Sequence, residues 1–147
     1  MPLLSRDEVG GSGSMAPVTR GDLTPPIKDG ERERPVPEVW RPTLSAIVES
    51  LAREDVIVAT EVPGVEPVSE ALSEMCLEAV AEYGGITLVP LPKDAWDTSV
   101  CLWQGDRWQC LVDLWTAQEG RCDLVLDVDV FEDDSGYRYS VNLVYVP

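Results

Sequence analysis

Apolar residues follow two different periods along this chain. From Trp40 to Leu51 they recur at helical spacing (Trp40, Leu44, Ile47, Val48, Leu51), and Pro42 is tolerable in an opening turn. Asp55–Thr60 has the apolar density of a short strand, and Val62–Pro67 is a turn-rich connector. A second helix is predicted over 69–83, with Leu72, Met75, Cys76, Ala79, Val80 and Tyr83 as its apolar stripe and Gly84-Gly85 as its stop. Its glutamates at 70, 74, 78 and 82 share one face. Like charges at i, i+4 cost about 0.2–0.5 kcal/mol per pair, so that face belongs in water.

After Gly85 the period becomes two, and strands are predicted to the end of the chain, starting with Ile86–Leu91. Gly105-Asp106 fits a two-residue hairpin turn, which sets Trp103 opposite Trp108 and Cys101 opposite Cys110, both in non-hydrogen-bonded pairs. Trp108, Cys110, Val112 and Leu114 then point one way, and Gln109, Leu111, Asp113 and Trp115 the other. A second hairpin with a four-residue loop, Asp133–Gly136, sets Val130 against Tyr139, Val128 against Val141, Leu126 against Leu143 and Leu124 against Tyr145. The reverse face reads Asp129/Ser140, Asp127/Asn142 and Val125/Val144. A one-residue slip would turn every side chain over, so this agreement supports the register. The predicted fold class is α+β: two N-terminal helices packed on a curved antiparallel sheet of four to five strands.

Domain organisation follows from composition. Gly10–Ser14 is a flexible linker, and Met15 follows it like a natural start. Residues 1–14 are expected to be an artificial extension or, alternatively, a peptide (Pro2–Val9) tethered through that linker. Residues 15–36, with Pro17, Pro25, Pro26 and Pro35 and no apolar period, are expected to be a flexible arm. Residues 37–147 form the single domain. No apolar run approaches the roughly 18 residues of a membrane span, and no secretory leader pattern opens the chain, so a cytoplasmic protein is expected.

Charge narrows the function classes. The 147 residues carry 11 Lys and Arg against 27 Asp and Glu, a net charge of −16. Residues 37–147 hold six basic and twenty-one acidic groups, so the domain alone is at −15. Such a field repels nucleic acid, whose phosphates require cationic neutralisation, and favours a basic partner. The absence of histidine removes His-based catalysis and His metal ligation. Four cysteines lack any C-x-x-C spacing, so no zinc ribbon or thioredoxin motif is indicated. Cys101 and Cys110, if opposite, are either a cross-strand disulfide or two packed thiols.

Two groups of side chains could carry function. On the polar sheet face Asp113, Asp123, Asp127 and Asp129 fall in one neighbourhood with Trp115, which fits a solvated surface, a docking surface for a basic protein or, least well, a divalent cation site lacking any D-x-D-x-D-G loop. On the other face Trp103, Trp108, Tyr139 and Tyr145 are closed core, or line a pocket if the helices leave a cone open. No pair of carboxylates stands out for acid/base work, and no cofactor motif is present.

The stretch Trp96–Pro147 resembles a bacterial family of small domains of unknown function. The matching features are Trp108, Val112-Asp113-Leu114-Trp115-Thr116, Glu119-Gly120-Arg121, Asp123-Leu124 and Val144-Tyr145-Val146-Pro147, with Pro63–Ser69 upstream. The likeness extends over residues 38–147 and implies no activity. The order of helices followed by a bent meander is also similar to NTF2-like cone folds, and fold alone does not carry function. The leading expectation is a non-enzymatic acidic binding domain engaging a basic protein, in an immunity or antitoxin-like role. The alternatives are an NTF2-like pocket protein binding or acting on a small ligand, and an assembly component with residues 1–14 as tethered peptide.

Overall fold

A computed structural model describes residues 25–54 and 61–147. The expectations for residues 1–24 and for a strand over Asp55–Thr60 concern positions outside the described residues. The domain is α+β, a five-stranded antiparallel sheet with two helices. Strands β1 (Arg34–Pro35), β2 (Val100–Trp103), β3 (Trp108–Thr116), β4 (Gly120–Asp133) and β5 (Gly136–Tyr145) lie side by side in chain order. Helix α1 spans Arg41–Ala52 and α2 spans Glu70–Tyr83.

Helix α1 forms where the apolar period predicts it, with Pro42 in its first turn and Leu44, Ile47, Val48 and Leu51 buried. Helix α2 starts at Ser69, whose Oγ accepts the Leu72 N–H at 3.0 Å, and ends at Gly84 with φ of 85°. Its buried residues are Ser73 and Cys76, while Met75 is 52% exposed. The stripe is thus rotated from the one predicted through Met75, because a small Ser73 lets the helix backbone approach the core.

One hydrophobic cluster joins Trp40, Leu44, Ile47, Val48, Leu51 and Cys76 to Trp108, Cys110, Val112, Leu114, Leu126, Val128, Val130, Tyr139, Val141 and Val144. Each sheet member of that cluster points to the same face, so both helices pack on it. Burying a side chain of Leu or Val size stabilises by about 1.5–3 kcal/mol, so this face dominates stability.

The first hairpin has the predicted register: Trp103 pairs with Trp108 and Cys101 with Cys110. The second departs from it. Asp133 pairs with Gly136, which leaves a two-residue loop, and Val130/Tyr139 and Val128/Val141 stand as predicted. The register then shifts at a bulge, and Asp127 pairs with Leu143, Leu126 with Val144, and Val125 with Tyr145. The predicted Leu126/Leu143 and Leu124/Tyr145 pairs are therefore corrected. The bulge inserts Asn142 as an extra residue, so Val144 turns into the core, while Leu143 and Tyr145 face the opposite side.

Backbone contacts cap β5 on one side and the end of β3 on the other. Gly64 and Glu66 bond the backbone of Tyr139 at 2.9 and 2.7 Å, beside β5. Beyond the reach of β2, Thr87 and Val89 bond the backbone of Ala117 and Trp115 beside β3. That contact, a single Leu88–Thr116 bridge, is all that forms of the strand predicted over Ile86–Leu91.

Residues 25–36 are mostly exposed, but contacts at several points tie them to the sheet. Strand β1 pairs Arg34 with Cys101 and Pro35 with Val100, and Val36 is fully buried. The Ile27 carbonyl accepts the Trp108 indole N–H at 3.0 Å, and Lys28 lies 5.2 Å from the Trp103 ring centroid. Paired local charges hold the shape, with Arg34 Nη2 at 2.8 Å from Asp29 Oδ2. Segment composition is a poor guide here because one β-branched residue and one carbonyl carry the docking.

Candidate functional site

The face of the sheet turned away from the helices carries Val100 and Leu102 of β2, Gln109, Leu111, Asp113 and Trp115 of β3, Val125, Asp127, Asp129 and Phe131 of β4, and Leu143 and Tyr145 of β5. None of these belongs to the core cluster. Neither α1 nor α2 packs on this face, since the core cluster they join is built from the other one.

Its centre is Asp127, only 8% exposed. Gln109 Nε2 donates to one carboxylate oxygen at 2.9 Å and Asn142 Nδ2 to the other at 3.1 Å. Tyr145 lies against the same carboxylate, and burial, followed by the Asp127 charge and a hydrogen bond to it, raises the phenol pKa. These partners are neutral. Among the described residues no cation lies within ion-pair distance of Asp127. The bulge at Asn142 shapes this arrangement, since it brings Leu143 and Tyr145 to the Asp127 side beside the Asn142 amide.

Asp129 lies one pleat away, with Arg107 Nε at 3.2 Å. Burial raises its pKa and the neighbouring Asp127 adds to the shift, against the Asn142 hydrogen bond and the Arg107 charge. Asp113 accepts a hydrogen bond from Thr98 Oγ1, and its backbone N–H donates to Ser99 Oγ at 2.9 Å. Asp113 and Asp123 line one hollow of about 250 Å³ with Arg121 and Val125. Trp115 pairs with Arg121 across β3 and β4 and is half-buried.

Of the five residues singled out from the sequence, Asp127 and Asp129 are adjacent, and Asp113 and Asp123 share the neighbouring hollow. Trp115 lies at the β3 end of the same face. Reasoning from the sequence missed Gln109, Asn142 and Arg107, which fix the two central carboxylates. Gln109 was legible from the β3 alternation and Asn142 from the predicted Asp127/Asn142 pair, although the bulge puts Leu143 rather than Asn142 opposite Asp127. Among the described residues no three His, Cys, Asp or Glu side chains converge as a metal site.

The four aromatic residues do not share a pocket. Trp108 is 1% exposed and packs between Trp40 and Trp103, with ring centroids at 5.1 and 4.6 Å. Tyr139 is buried, Trp103 sits at the margin under Lys28, and Tyr145 is on the other face. Of the two alternatives, packed core describes Trp108 and Tyr139, while Trp103 borders a cleft beside residues 25–36.

No helix among the described residues is long and apolar enough to cross a membrane. No curated protein and no solved structure matches the chain, and the expected similarity to NTF2-like folds is not confirmed. Residues 48–147 match the family model described as a domain of unknown function (DUF7668), which takes in α2, strands β2–β5 and every residue of the acidic face, and the chain belongs to that family.

Proposed function

We propose that the acidic face docks a basic protein, in a non-enzymatic, immunity-like role. One observation carries this reading: Asp127 is held in place by neutral donors, with no cation within ion-pair distance among the described residues, at the centre of the sheet face away from α1 and α2. A carboxylate so placed has little left to reorganise when a partner's Arg or Lys arrives. The surrounding Leu111, Trp115, Phe131 and Leu143 offer apolar area at the rim, and the net charge of −16 steers a cationic surface toward it.

The two parts should separate kinetically. Removing charge acts on the approach of a partner, and removing a desolvated aromatic acts on its departure. The test compares proteins retained from the source cell by the wild type, by Asp113→Asn/Asp129→Asn and by a helix control, Glu74→Gln/Glu78→Gln. Basic proteins retained by the wild type and the control but lost from the face variant support the reading. For such a partner, Trp115→Ala should cost about 2 kcal/mol of affinity, mainly through faster dissociation. Equal retention by all three forms refutes it.

A further inference from the structure

Cys101 and Cys110 lie opposite each other on β2 and β3. The Gln104 N–H donates to the Arg107 carbonyl at 2.7 Å, closing the hairpin. Alternation from that pair makes Cys101–Cys110 a non-hydrogen-bonded pair, whose Cα atoms lie about 4.5 Å apart in a regular ladder. This is inside the span a disulfide bridges without moving the backbone. Both thiols are free and buried.

The two thiols are chemically unequal. Cys110 is fully buried in the core. Cys101, 5% exposed, lines a cleft of about 370 Å³ between the 25–36 segment and β2, together with Arg34, Arg41 and Trp103. Its thiol donates to the Pro35 carbonyl at 3.7 Å. Arg34 sits across β1–β2 from it, with Nη2 engaged by Asp29. The Arg34 Nε is buried and has no hydrogen-bond partner. A hydrogen bond from Cys110, aided by the Arg34 charge, pulls the Cys101 thiol down against the effect of burial. The same hydrogen bond and burial push Cys110 up.

We propose that Cys101 and Cys110 form a hydroperoxide-reactive dithiol site, in which Cys101 is the attacking sulfur, Cys110 the resolving one, and the unsatisfied Arg34 Nε–H the donor to the departing oxygen. The Cys101 thiolate attacks one oxygen of the hydroperoxide, an S–O bond forms, and the O–O bond breaks. The leaving alkoxide or hydroxide takes up the proton that Cys101 released, and Cys101 is a sulfenic acid. Cys110 then attacks that sulfur, the S–S bond forms, and the hydroxyl leaves as water with the Cys110 proton. Two thiols have lost two electrons, and the hydroperoxide has gained them. A dithiol reductant returns the pair by exchange. The cleft holds a small hydroperoxide and places it against the thiol that has a cationic neighbour and a free donor.

The full chain, reduced and native, is treated with one equivalent of hydrogen peroxide, quenched over time and mapped by mass spectrometry. The expected product is a Cys101–Cys110 link, formed about tenfold or more faster than any oxidation of Cys76 or Cys122, whose thiols burial raises. Dithiothreitol should reverse it. In Cys110→Ser, dimedone should label Cys101, and in Cys101→Ser, Cys110 should stay unlabelled. Arg34→Gln should slow linking more than Arg34→Lys does. Since Cys76 and Cys122 report from the same folded molecules, the comparison survives any loss of stability in a variant. Oxidation of all four cysteines at one rate, a bridge involving Cys76 or Cys122, or dimedone labelling of Cys110 first would overturn the proposal.

Discussion

The bulge at Asn142 makes a sharp stability prediction, because it decides which of two neighbouring residues belongs to the core. Val144 is 1% exposed and sits in the helix-covered cluster, opposite Leu126. Val144→Ala removes two buried methyl equivalents, about 0.8 kcal/mol each, and leaves a small cavity. The expected loss is about 2 kcal/mol. At about 4 °C per kcal/mol for a domain of this size, Tm falls by about 8 °C. Leu143 is half-buried on the acidic face, so Leu143→Ala should cost about 1 kcal/mol or less although it deletes more atoms. An unbroken ladder would pair Leu126 with Leu143 and reverse the order, with Leu143→Ala at about 3 kcal/mol or more and Val144→Ala near zero. Urea denaturation of both variants, read by tryptophan fluorescence, decides between them. A larger loss for Leu143→Ala refutes the bulge and, with it, the placement of Leu143 and Tyr145 beside Asp127.

Two other outcomes are expected. Val36→Ala should lower stability by about 2 kcal/mol, since Val36 is fully buried where residues 25–36 cross the core, and an unchanged melting curve would mean that segment is not docked. Asp129 should oppose folding at neutral pH. Burial raises its folded pKa above 3.8, so the folded chain binds that proton more tightly than the unfolded one. Stability from this group is therefore gained as pH falls through the raised pKa and is absent above it. Relative to Asp129→Asn, the wild type should improve on acidification from pH 7 toward 4 in parallel denaturant titrations, and a gap that moves the other way would show that the Arg107 ion pair outweighs burial.

The limits of sequence reading here have physical causes. Helix α1, the Ser69 start of α2 and the Trp103/Trp108 register were legible because each rests on local chemistry: a 3.6-residue period, a capping hydroxyl, a two-residue turn. The β4–β5 register was legible only as far as Val128/Val141. Beyond it a bulge costs one residue of phase and carries no composition signal, since Leu143, Val144 and Tyr145 are all acceptable on a buried face. The docking of residues 25–36 was hidden for a related reason. Three prolines and an alternating run of charges look like a solvated arm, yet Arg34 is paired to Asp29, and Val36 supplies the buried apolar anchor.

The same two local departures from regularity build both candidate sites. Without the extra residue at 142, Tyr145 would enter the core and Asp127 would face Asn142 across an open ladder, leaving its carboxylate to water. With it, Asp127 becomes a fixed, enclosed negative charge on the face away from α1 and α2. Without the 25–36 segment, Cys101 would lie on an exposed edge strand and Trp108 would lose the carbonyl that accepts its indole N–H. With it, Cys101 acquires a cleft wall, a guanidinium neighbour and shielding from bulk solvent. The two sites lie on opposite faces of β2–β3, and Gln109 of the acidic face sits next in chain to Cys110. Linking Cys101 to Cys110 would therefore act on the strand that presents Gln109 to Asp127. If the acidic face docks a partner, its dissociation rate should differ between the dithiol and disulfide forms of the wild type and be insensitive to oxidation in Cys101→Ser. Equal dissociation of both forms would leave the two sites energetically independent.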